Sequence, residues 1–425
     1  MEYILLTYNV CNQGGGQLYV LRRANYLREH GYDVRIIICF DNGNFILEKD
    51  FEVFTILYVP EFAQRLAYYS KSKGQKIIEN VIDRLNVGSG AVIESHLPFL
   101  GVWAEKLALN LQCKHIYYPL STIKIRKYHL PDYKIFEYKY EHNEYWGHTS
   151  LAIKSALGGK SKNNYVNIGF DENELIEYSF PKIPYEYNEN DFVISTVSRL
   201  DKSYIVPLIL SVCKLADKYP LQSFVLIIAG GSKTAGREDF LFNNYNDSVL
   251  NISNLRIIYT GYITKLGKDL FRVSSVFVGM GTASINAISQ KCLTLNIDPF
   301  SDDKCSGFFG TDTNVFSMSE NGIVFSIEEK LEEAYNMCFE KKKNIVNRGR
   351  ILFESDFEMV RCFAKLDEAI RRMSVSKDAN LFKYPFIYHY YVKVRYDMGT
   401  YWRKTKVYLR KYFNTKTINV NSFIL

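Results

Sequence analysis

Short β-branched segments alternate with longer stretches of helical periodicity along most of this chain. This alternation is typical of parallel strands that are joined by crossover helices. It predicts an α/β fold built on doubly wound sheets. In the first part of the chain the strand-like segments are 2–8, 34–40, 91–95, 115–119 and 164–169.

The pattern stops at a proline-containing joint, Phe180-Pro-Lys-Ile-Pro-Tyr, and then restarts. The later strands are nearly continuous apolar runs, as expected where helices cover both faces of a parallel sheet. A chain of 425 residues also exceeds what one hydrophobic core usually supports. We therefore predict a Rossmann-like domain at 1–180, a second one at 181–375 and a tail at 376–425. The later strand-like segments are 191–198, 224–229, 255–260, 275–279, 292–297 and 322–326.

The composition limits the class of protein. Apolar residues make up 47% and charged residues 23% of the chain, close to the average for globular domains. The eight cysteines contain no Cys-x-x-Cys pair, so neither a disulfide framework nor a zinc knuckle is predicted. The N-terminus lacks signal-peptide features, and no run reaches the roughly 18 apolar residues that a spanning helix needs. We therefore expect a cytoplasmic protein.

A glycine-rich turn, Asn12-Gln-Gly-Gly-Gly-Gln, follows the first predicted strand and precedes a predicted helix. Glycines at such a turn allow the backbone to approach a ligand closely and direct N–H groups at negative charge. Gly15 and Gly16 are therefore candidate binding residues. A tight turn that serves only packing is the alternative, and the sequence leaves both interpretations open.

Two cations follow the first strand of the second domain, where Arg199 and Lys202 stand in Ser-Arg-Leu-Asp-Lys. The carboxyl ends of parallel strands form the edge at which open α/β sheets bind ligands. A guanidinium binds phosphate in a bidentate manner, and an ammonium adds a point charge. We therefore predict that the pair binds a diphosphate and, as catalytic residues, stabilises its departure; a solvated basic loop is the alternative.

A second glycine turn joins a strand to a helix in Val276-Phe-Val-Gly-Met-Gly-Thr-Ala-Ser-Ile-Asn. Gly279, Gly281 and Thr282 stand where the N–H groups of the first helical turn would face a phosphate. Asn286 lies about one turn later and is expected to reach a sugar hydroxyl. Simple packing of the helix on the strand is the alternative.

These segments and their order resemble the large retaining family of GT-B nucleotide-sugar glycosyltransferases, which includes many bacterial polysaccharide enzymes. The resemblance covers about residues 1–370. It implies two Rossmann-like domains that face a central cleft, an acceptor-side N-terminal domain, a C-terminal domain that binds the nucleotide sugar, Tyr262 as a wall near the base, and no metal or other cofactor. The motifs that carry it are Gly14-Gly15-Gly16, Arg199-Leu200, Ala229-Gly230-Gly231, Gly261-Tyr262 and Gly279-Met280-Gly281.

The chain departs from that family at residues that matter for catalysis. The family carries two glutamates eight residues apart, where this chain has Val278 and Asn286. Tyr204 stands at the position of the second family cation, which makes Lys202 a displaced candidate. The family histidine falls near Tyr118-Pro119, so His96 is the nearest substitute, as a catalytic or a structural residue.

Two functions follow from this comparison. The first is transfer of a sugar from a nucleotide sugar to an acceptor hydroxyl on a glycan or a lipid-linked acceptor. The second is a catalytically inactive binding or scaffolding subunit that has kept the fold. The spacing of the seven histidines predicts no metal site. A loop at 298–307 either touches the donor sugar or is solvated, and the sequence does not place the tyrosine-rich stretch 127–157.

The tail carries the net charge of the chain. Residues 376–425 contain 10 Lys and Arg against 2 Asp and Glu, whereas the other 375 residues sum to −1. Apolar and aromatic residues recur at 4-3 spacing over 387–412, which predicts an amphipathic helix. Such a helix is drawn to anionic lipid at the inner face of a membrane, or it packs on the first domain. Without a recognition motif, the charge does not predict nucleic-acid binding.

Overall fold

The protein, described here from a computed structural model, divides into two compact units. Unit 1 comprises residues 1–165 and 367–425, and unit 2 comprises residues 166–366. The residues that the structure describes are 1–10, 15–40, 48–120, 130–149, 152–153, 156, 164–186, 188–232, 236–299, 301–313, 322–377, 379–382, 394 and 398.

The described part of unit 1 contains five parallel strands with helices between them. The helices are α1 (Gly15–Glu29), α2 (Glu48–Phe51), α3 (Lys71–Leu85), α4 (Pro98–Leu111) and α5 (Leu130–Glu141), with 3-10 turns at Pro60–Ala63, Leu66–Tyr68 and Ala379–Phe382. The strands are β1 (Glu2–Thr7), β2 (Asp33–Ile38), β3 (Thr55–Tyr58), β4 (Val92–Ser95) and β5 (Lys114–Tyr117).

The sheet of unit 1 has the strand order β3-β2-β1-β4-β5. Its central strand, β1, pairs with β2 and with β4, so Leu5 lies opposite both Ile36 and Glu94. One face packs against Trp103 of α4, whose ring stacks on Phe62 at a centroid distance of 4.6 Å. The opposite face of β1 is also covered, since Tyr3 and Leu5 are buried as well.

The described part of unit 2 contains seven strands. The helices of unit 2 are α6 (Ile205–Lys218), α7 (Arg237–Asn244), α8 (Asp247–Leu250), α9 (Lys268–Val273), α10 (Thr282–Ser289), α11 (Ile327–Tyr335) and α12 (Phe339–Leu352), followed by α13 (Met359–Arg372), whose last residues belong to unit 1. The strands are β6 (Asp191–Val197), β7 (Ser223–Ala229), β8 (Leu255–Gly261), β9 (Val276–Gly279), β10 (Thr294–Ile297), β11 (Lys304–Phe308) and β12 (Phe325–Ser326).

The sheet of unit 2 has the order β12-β11-β10-β9-β6-β7-β8. Strands β6 to β10 are parallel, whereas β11 and β12 continue the sheet in antiparallel orientation. Strand order reverses between β6 and β9, which are direct neighbours with Ser195 opposite Phe277. This reversal is a topological switch point, the place where open α/β sheets bind their ligands.

The structure corrects two predictions. Residues 164–169 form no strand, because only Tyr165 makes an isolated bridge, to Gly147. The predicted loop at 298–307 contains most of β11. Part of the unplaced stretch 127–157 is helix α5. The predicted amphipathic helix at 387–412 lies outside the described residues, apart from Val394 and Met398, which are both helical.

Candidate functional site

The structure brings the predicted residues of the second domain to one edge of the unit 2 sheet. The segment 198–204 follows β6, and the glycine turn at 279–281 follows β9, which is the neighbour of β6. Both segments therefore lie at the carboxyl edge and flank the switch point. We call this region, with residues 198–204 and 279–286, the switch-point edge.

The side chain of Arg199 is 50% exposed at this edge. Its Nη1 lies 3.5 Å from Asp201 Oδ2, a loose ion pair. The N–H of Lys202 donates to the carbonyl of Arg199 at 3.1 Å, so the two cations belong to one turn. Because the Arg199 guanidinium keeps half of its surface open, it can exchange its weak partner for a phosphate.

Tyr204 occupies the position at which the resembling family carries a second cation. It is buried, and its hydroxyl lies 3.2 Å from Thr196 Oγ1 on β6. It also precedes the first residue of α6. Tyr204 therefore supports the strand–helix junction, and Lys202 stays the candidate for the second charge.

The ends of β6, β7 and β8 are in close backbone contact. Gly230 has φ +143°, and a Cβ atom at this position would lie 2.0 Å from the carbonyl oxygen of Ser198. The carbonyl of Gly231 accepts the N–H of Leu200 at 3.1 Å. A Cβ atom on Gly231 would lie 3.4 Å from Cβ of Tyr262, whose side chain is about half exposed. Tyr262 therefore lies beside Gly231 with its side chain about half exposed.

The turn at 279–281 leads directly into α10. Gly281 has φ +69°, a left-handed conformation that favours glycine, and it precedes Thr282 without a side-chain cap. The first N–H groups of a helix have no partner within the helix. The start of α10 can therefore donate hydrogen bonds to an anion at the switch-point edge.

Val278 and Asn286, at the two family glutamate positions, have different surroundings. Val278 is fully buried in the hydrophobic core and lies opposite Leu295 of β10, so its side chain does not reach the sheet edge. Asn286 is partly exposed, but its Oδ1 is buried and has no hydrogen-bond partner among the described residues. The same is true of Ser284 Oγ. An unpaired buried acceptor costs about 1–3 kcal/mol.

Sequence reasoning missed two further polar residues near this turn. Asn296 on β10 lies opposite Gly279 in the register, and neither polar atom of its amide has a hydrogen-bond partner in the described parts of the chain. Ser306 Oγ on β11 is likewise buried and unpaired there. The sequence does not single out Asn296, because it lies within an apolar strand segment. It does not single out Ser306, because its segment is predicted to be a loop.

His96 lies at the end of β4 in unit 1 and is 2% exposed. Its Nε2 lies 3.0 Å from Glu94 Oε1, and its Nδ1 is buried without a partner among the described residues. Burial raises the pKa of Glu94, but the charge of Arg23 and the hydrogen bond from His96 lower it to about 2. Glu94 is therefore ionised and accepts a hydrogen bond from His96 Nε2.

Gly15 and Gly16 begin helix α1. A Cβ atom on Gly15 would have no atom within 4 Å, and one on Gly16 would lie 3.7 Å from Leu120. Packing against the described residues therefore does not require glycine at either position. The role predicted for them, close backbone approach to a ligand, stays a prediction.

A hydrogen-bonded chain in unit 1 has the order of a nucleophile, base and acid. Ser95 Oγ lies 2.8 Å from His115 Nε2, and His115 Nδ1 lies 2.7 Å from Glu105 Oε2. Lys139 Nζ lies 2.6 Å from the same carboxylate oxygen. All of these side chains are fully buried, so no substrate reaches Ser95. This cluster is therefore part of the interior of unit 1.

Within the described ranges, no group of three or more His, Cys, Asp or Glu side chains is arranged to hold a metal ion. No helix in those ranges is long and apolar enough to span a membrane.

Comparisons with known proteins identify the fold. No family profile matches the chain, and no curated protein matches it. Among solved structures, HepE of Anabaena in complex with UDP is 14% identical, covers 88% of this chain and 100% of its own, and has a TM-score of 0.59. A glycosyltransferase from Rickettsia africae is 14% identical, with coverages of 87% and 98% and a TM-score of 0.59. Sucrose-phosphate synthase from Thermosynechococcus elongatus is 12% identical, with coverages of 87% and 98% and a TM-score of 0.56. The chain therefore has the GT-B fold.

Proposed function

We propose that this protein transfers a glycosyl unit from a nucleotide-sugar donor to an acceptor hydroxyl group. The observation that carries the proposal is the switch-point edge, where a half-exposed Arg199 and the start of α10 follow two neighbouring strands. A guanidinium and a helix N-terminus at such an edge suit a diphosphate.

Arg199 and Lys202 are the proposed catalytic residues. In the reaction the acceptor oxygen bonds to the anomeric carbon on the face that the diphosphate leaves, the carbon–oxygen bond to the diphosphate breaks, and the hydroxyl proton passes to the departing diphosphate. Negative charge builds up on the departing diphosphate, and positive side chains placed beside it stabilise the transition state. We assign this role to Arg199 first, because its guanidinium is half exposed and only loosely paired.

The other groups at this edge would bind the donor. The backbone at Gly279, Gly281 and Thr282 would contact the phosphates. Asn286 Oδ1, which lacks a partner among the described residues, would accept a hydrogen bond from a ribose hydroxyl. Tyr262 would flank the base.

Similar solved structures support a nucleotide-sugar donor. Structures of HepE contain UDP, UDP with glucose, and UDP-glucose. Another similar structure, that of trehalose-6-phosphate from E. coli, is bound with UDP-2-fluoro glucose.

For unit 1 we propose the acceptor-side role. The acceptor would be a glycan or a lipid-linked sugar, and the transfer would retain the anomeric configuration. Gly15 and Gly16 would allow close backbone approach to a substrate, and His96 Nδ1 would accept a proton or a hydrogen bond. The basic tail would hold the protein at the inner face of a membrane, through anionic lipid.

A second function, binding without catalysis, is favoured by one observation. Val278 replaces a carboxylate of the resembling family, and its side chain is fully buried in the core. No carboxylate from this position can reach a sugar. A donor-sensing or scaffolding subunit of a glycosyltransferase complex would keep the diphosphate site and lose turnover.

A panel of nucleoside diphosphates and nucleotide sugars tests both functions. A ligand that binds only the folded protein raises its melting temperature. A shift with one diphosphate, together with hydrolysis or transfer of the matching sugar, supports the transferase. A shift without any turnover supports the binding subunit. No shift with any member of the panel contradicts both.

The membrane role of the tail is tested by truncation after Phe382. If the tail binds anionic lipid, the truncated protein sediments less with anionic liposomes than the full chain does. Equal sedimentation would remove the membrane role. A truncated protein that is insoluble would instead indicate that the tail packs on unit 1.

A further inference from the structure

Unit 1 contains a cavity of about 330 Å³ that shares no residue with the switch-point edge. It lies between the start of α3, the middle of α4 and the 3-10 turn Ala379–Phe382. A cavity of this size is in the range of small-molecule sites. We call it the lysine cavity, because Lys71 and Lys106 line it.

The two lysines bring positive charge to the cavity, and its described lining contains no carboxylate. Burial and the nearby charge of Lys71 lower the pKa of Lys106. The residues that line the cavity with the two lysines are uncharged. Two like charges that share a partly buried space repel each other, so an anion between them would be stabilised.

The start of α3 adds to this positive potential. Ser70 caps the helix by accepting the N–H of Lys73 at 3.3 Å. The first turn has no acidic residue, although Asp and Glu are the favoured charges there, and it contains Lys71 and Lys73 instead. The cations therefore stand at the positive end of the helix dipole, where they weaken α3 unless an anion is bound.

The rest of the lining is largely apolar and aromatic. Leu66, Tyr69 and Phe382 contribute to the wall, and Lys106 Nζ lies 5.3 Å from the centroid of the Phe382 ring. Gly74 lies within α3, where a Cβ atom would be 3.0 Å from Leu66 Cδ1. Glycine inside a helix costs about 1 kcal/mol relative to alanine, and here it leaves room for Leu66. An inorganic anion would leave this apolar wall uncovered.

We propose that the lysine cavity binds a phosphate ester that carries an apolar group. The phosphate oxygens accept hydrogen bonds from Lys71 and Lys106. The apolar group packs against Leu66, Tyr69 and Phe382. Two sources have this chemistry: a membrane phospholipid and a soluble phosphate ester of an apolar alcohol.

The test uses the full chain and two matched variants. Lys106→Met removes the charge inside the cavity and keeps the length of the side chain. Lys76→Met removes the same charge from an exposed position on α3 that does not line the cavity. The probe is dihexanoyl phosphatidic acid below its micelle concentration, measured by calorimetry beside inorganic phosphate.

We expect the native protein to bind the short-chain lipid at least about tenfold more tightly than inorganic phosphate. Lys106→Met should lose about tenfold or more in affinity, the scale of one charge-assisted hydrogen bond. The affinity of Lys76→Met for the short-chain lipid should stay within about twofold of the native affinity. Absence of binding, or an equal loss in both variants, would overturn the proposal.

Stability separates this role from a merely structural one. With no ligand present, Lys106→Met should melt at or above the native temperature, because it removes a repulsive charge. The short-chain lipid should raise the melting temperature of the native protein and not that of Lys106→Met. If Lys106→Met does not fold, Lys71→Met serves the same purpose, since Lys71 is exposed.

Vesicles distinguish the two sources. Phosphatidylcholine vesicles with and without phosphatidic acid are sedimented with each variant, all of which keep the basic tail. Weaker sedimentation of Lys106→Met than of Lys76→Met assigns the site to a membrane lipid. Equal sedimentation, with the calorimetric difference retained, assigns it to a soluble ester.

Discussion

Helix α1 and the last turns of α13 are joined by a buried ion pair in which Arg23 Nη2 lies 2.5 Å from Asp367 Oδ1. The Nε of the same guanidinium lies 3.1 Å from Glu94 Oε2 on β4. Tyr3 and Tyr19 donate their hydroxyls to Glu94 at 2.6 and 2.7 Å. One arginine thus forms ion pairs with two buried carboxylates of unit 1.

Arg23→Ala should destabilise unit 1 by about 3–5 kcal/mol, because it leaves the carboxylates of Glu94 and Asp367 buried without a cation. Urea unfolding measures the change. Arg28→Ala, on the exposed part of the same helix, is the control and should change stability by under about 1 kcal/mol. Similar losses in both variants would contradict the assignment.

Stability should fall as the pH drops from about 4.5 to about 2, the ordinary and folded-state pKa values of Glu94. A carboxyl group whose folded pKa is depressed contributes stability above its unfolded pKa and loses it on protonation. The shift corresponds to about 3 kcal/mol for Glu94. When the free energy of unfolding is measured across this pH range, it should change less steeply with pH for Glu94→Gln than for the native protein. An unchanged slope would assign the acid sensitivity to other groups.

Arg199→Ala should reduce turnover by about two orders of magnitude or more and leave the fold intact, because the side chain is half exposed. Steady-state kinetics with the donor found in the panel measures this. Arg256→Ala is the control, because Arg256 is equally exposed but stands near the start of β8, towards the opposite edge of the sheet. Equal activities of the two variants would remove Arg199 from the mechanism.

Restoring the family glutamate at position 278 should unfold unit 2 rather than create activity. Val278→Glu places a charge in the hydrophobic core, at a cost of at least about 3 kcal/mol. Asn286→Glu adds the same side chain at a partly exposed position and should be tolerated. Circular dichroism melting compares them. A stable Val278→Glu protein would show that the strand can turn this side chain to the edge.

Removal of the unpaired acceptor at Asn286 should cost binding and not stability. Asn286→Ala is expected to lower the affinity for the nucleotide by about tenfold, since one hydrogen bond to the ribose is lost. Its melting temperature without ligand should equal or exceed the native value, because the substitution removes a buried acceptor that has no partner among the described residues. Gln290→Ala, at the end of the same helix, is the control. Equal nucleotide affinity in both variants would show that Asn286 does not bind the ribose.

The apolar strands could be predicted from the sequence because burial between two helical layers demands continuous apolar runs. Strand β3 was missed because its residues are half exposed at a sheet edge, so its pattern is weak. The segment 164–169 has the alternation of a strand, but only Tyr165 finds a partner. Pairing depends on what lies beside a segment, which its own residues do not encode.

The candidate site could likewise be predicted from the sequence only in part. Arg199 and the turn at 279–281 could be placed together because topology alone carries parallel strand ends to one edge. The burial of Val278 could not be predicted, because it depends on which face of β9 meets the core. The partners of Glu94 come from residues 3, 19, 23 and 96, and only coordinates bring them together.

The ion pair between Arg23 and Asp367 also has a consequence for synthesis on the ribosome. Residues 166–366 form unit 2 as one continuous stretch, whereas unit 1 needs residues from both ends of the chain. When the first 165 residues have emerged, Arg23 is present but Asp367 has not been translated. The ion pair between Arg23 and Asp367 therefore forms only after the whole of unit 2 has been translated, and unit 1 is the last of the two units to receive all of its residues.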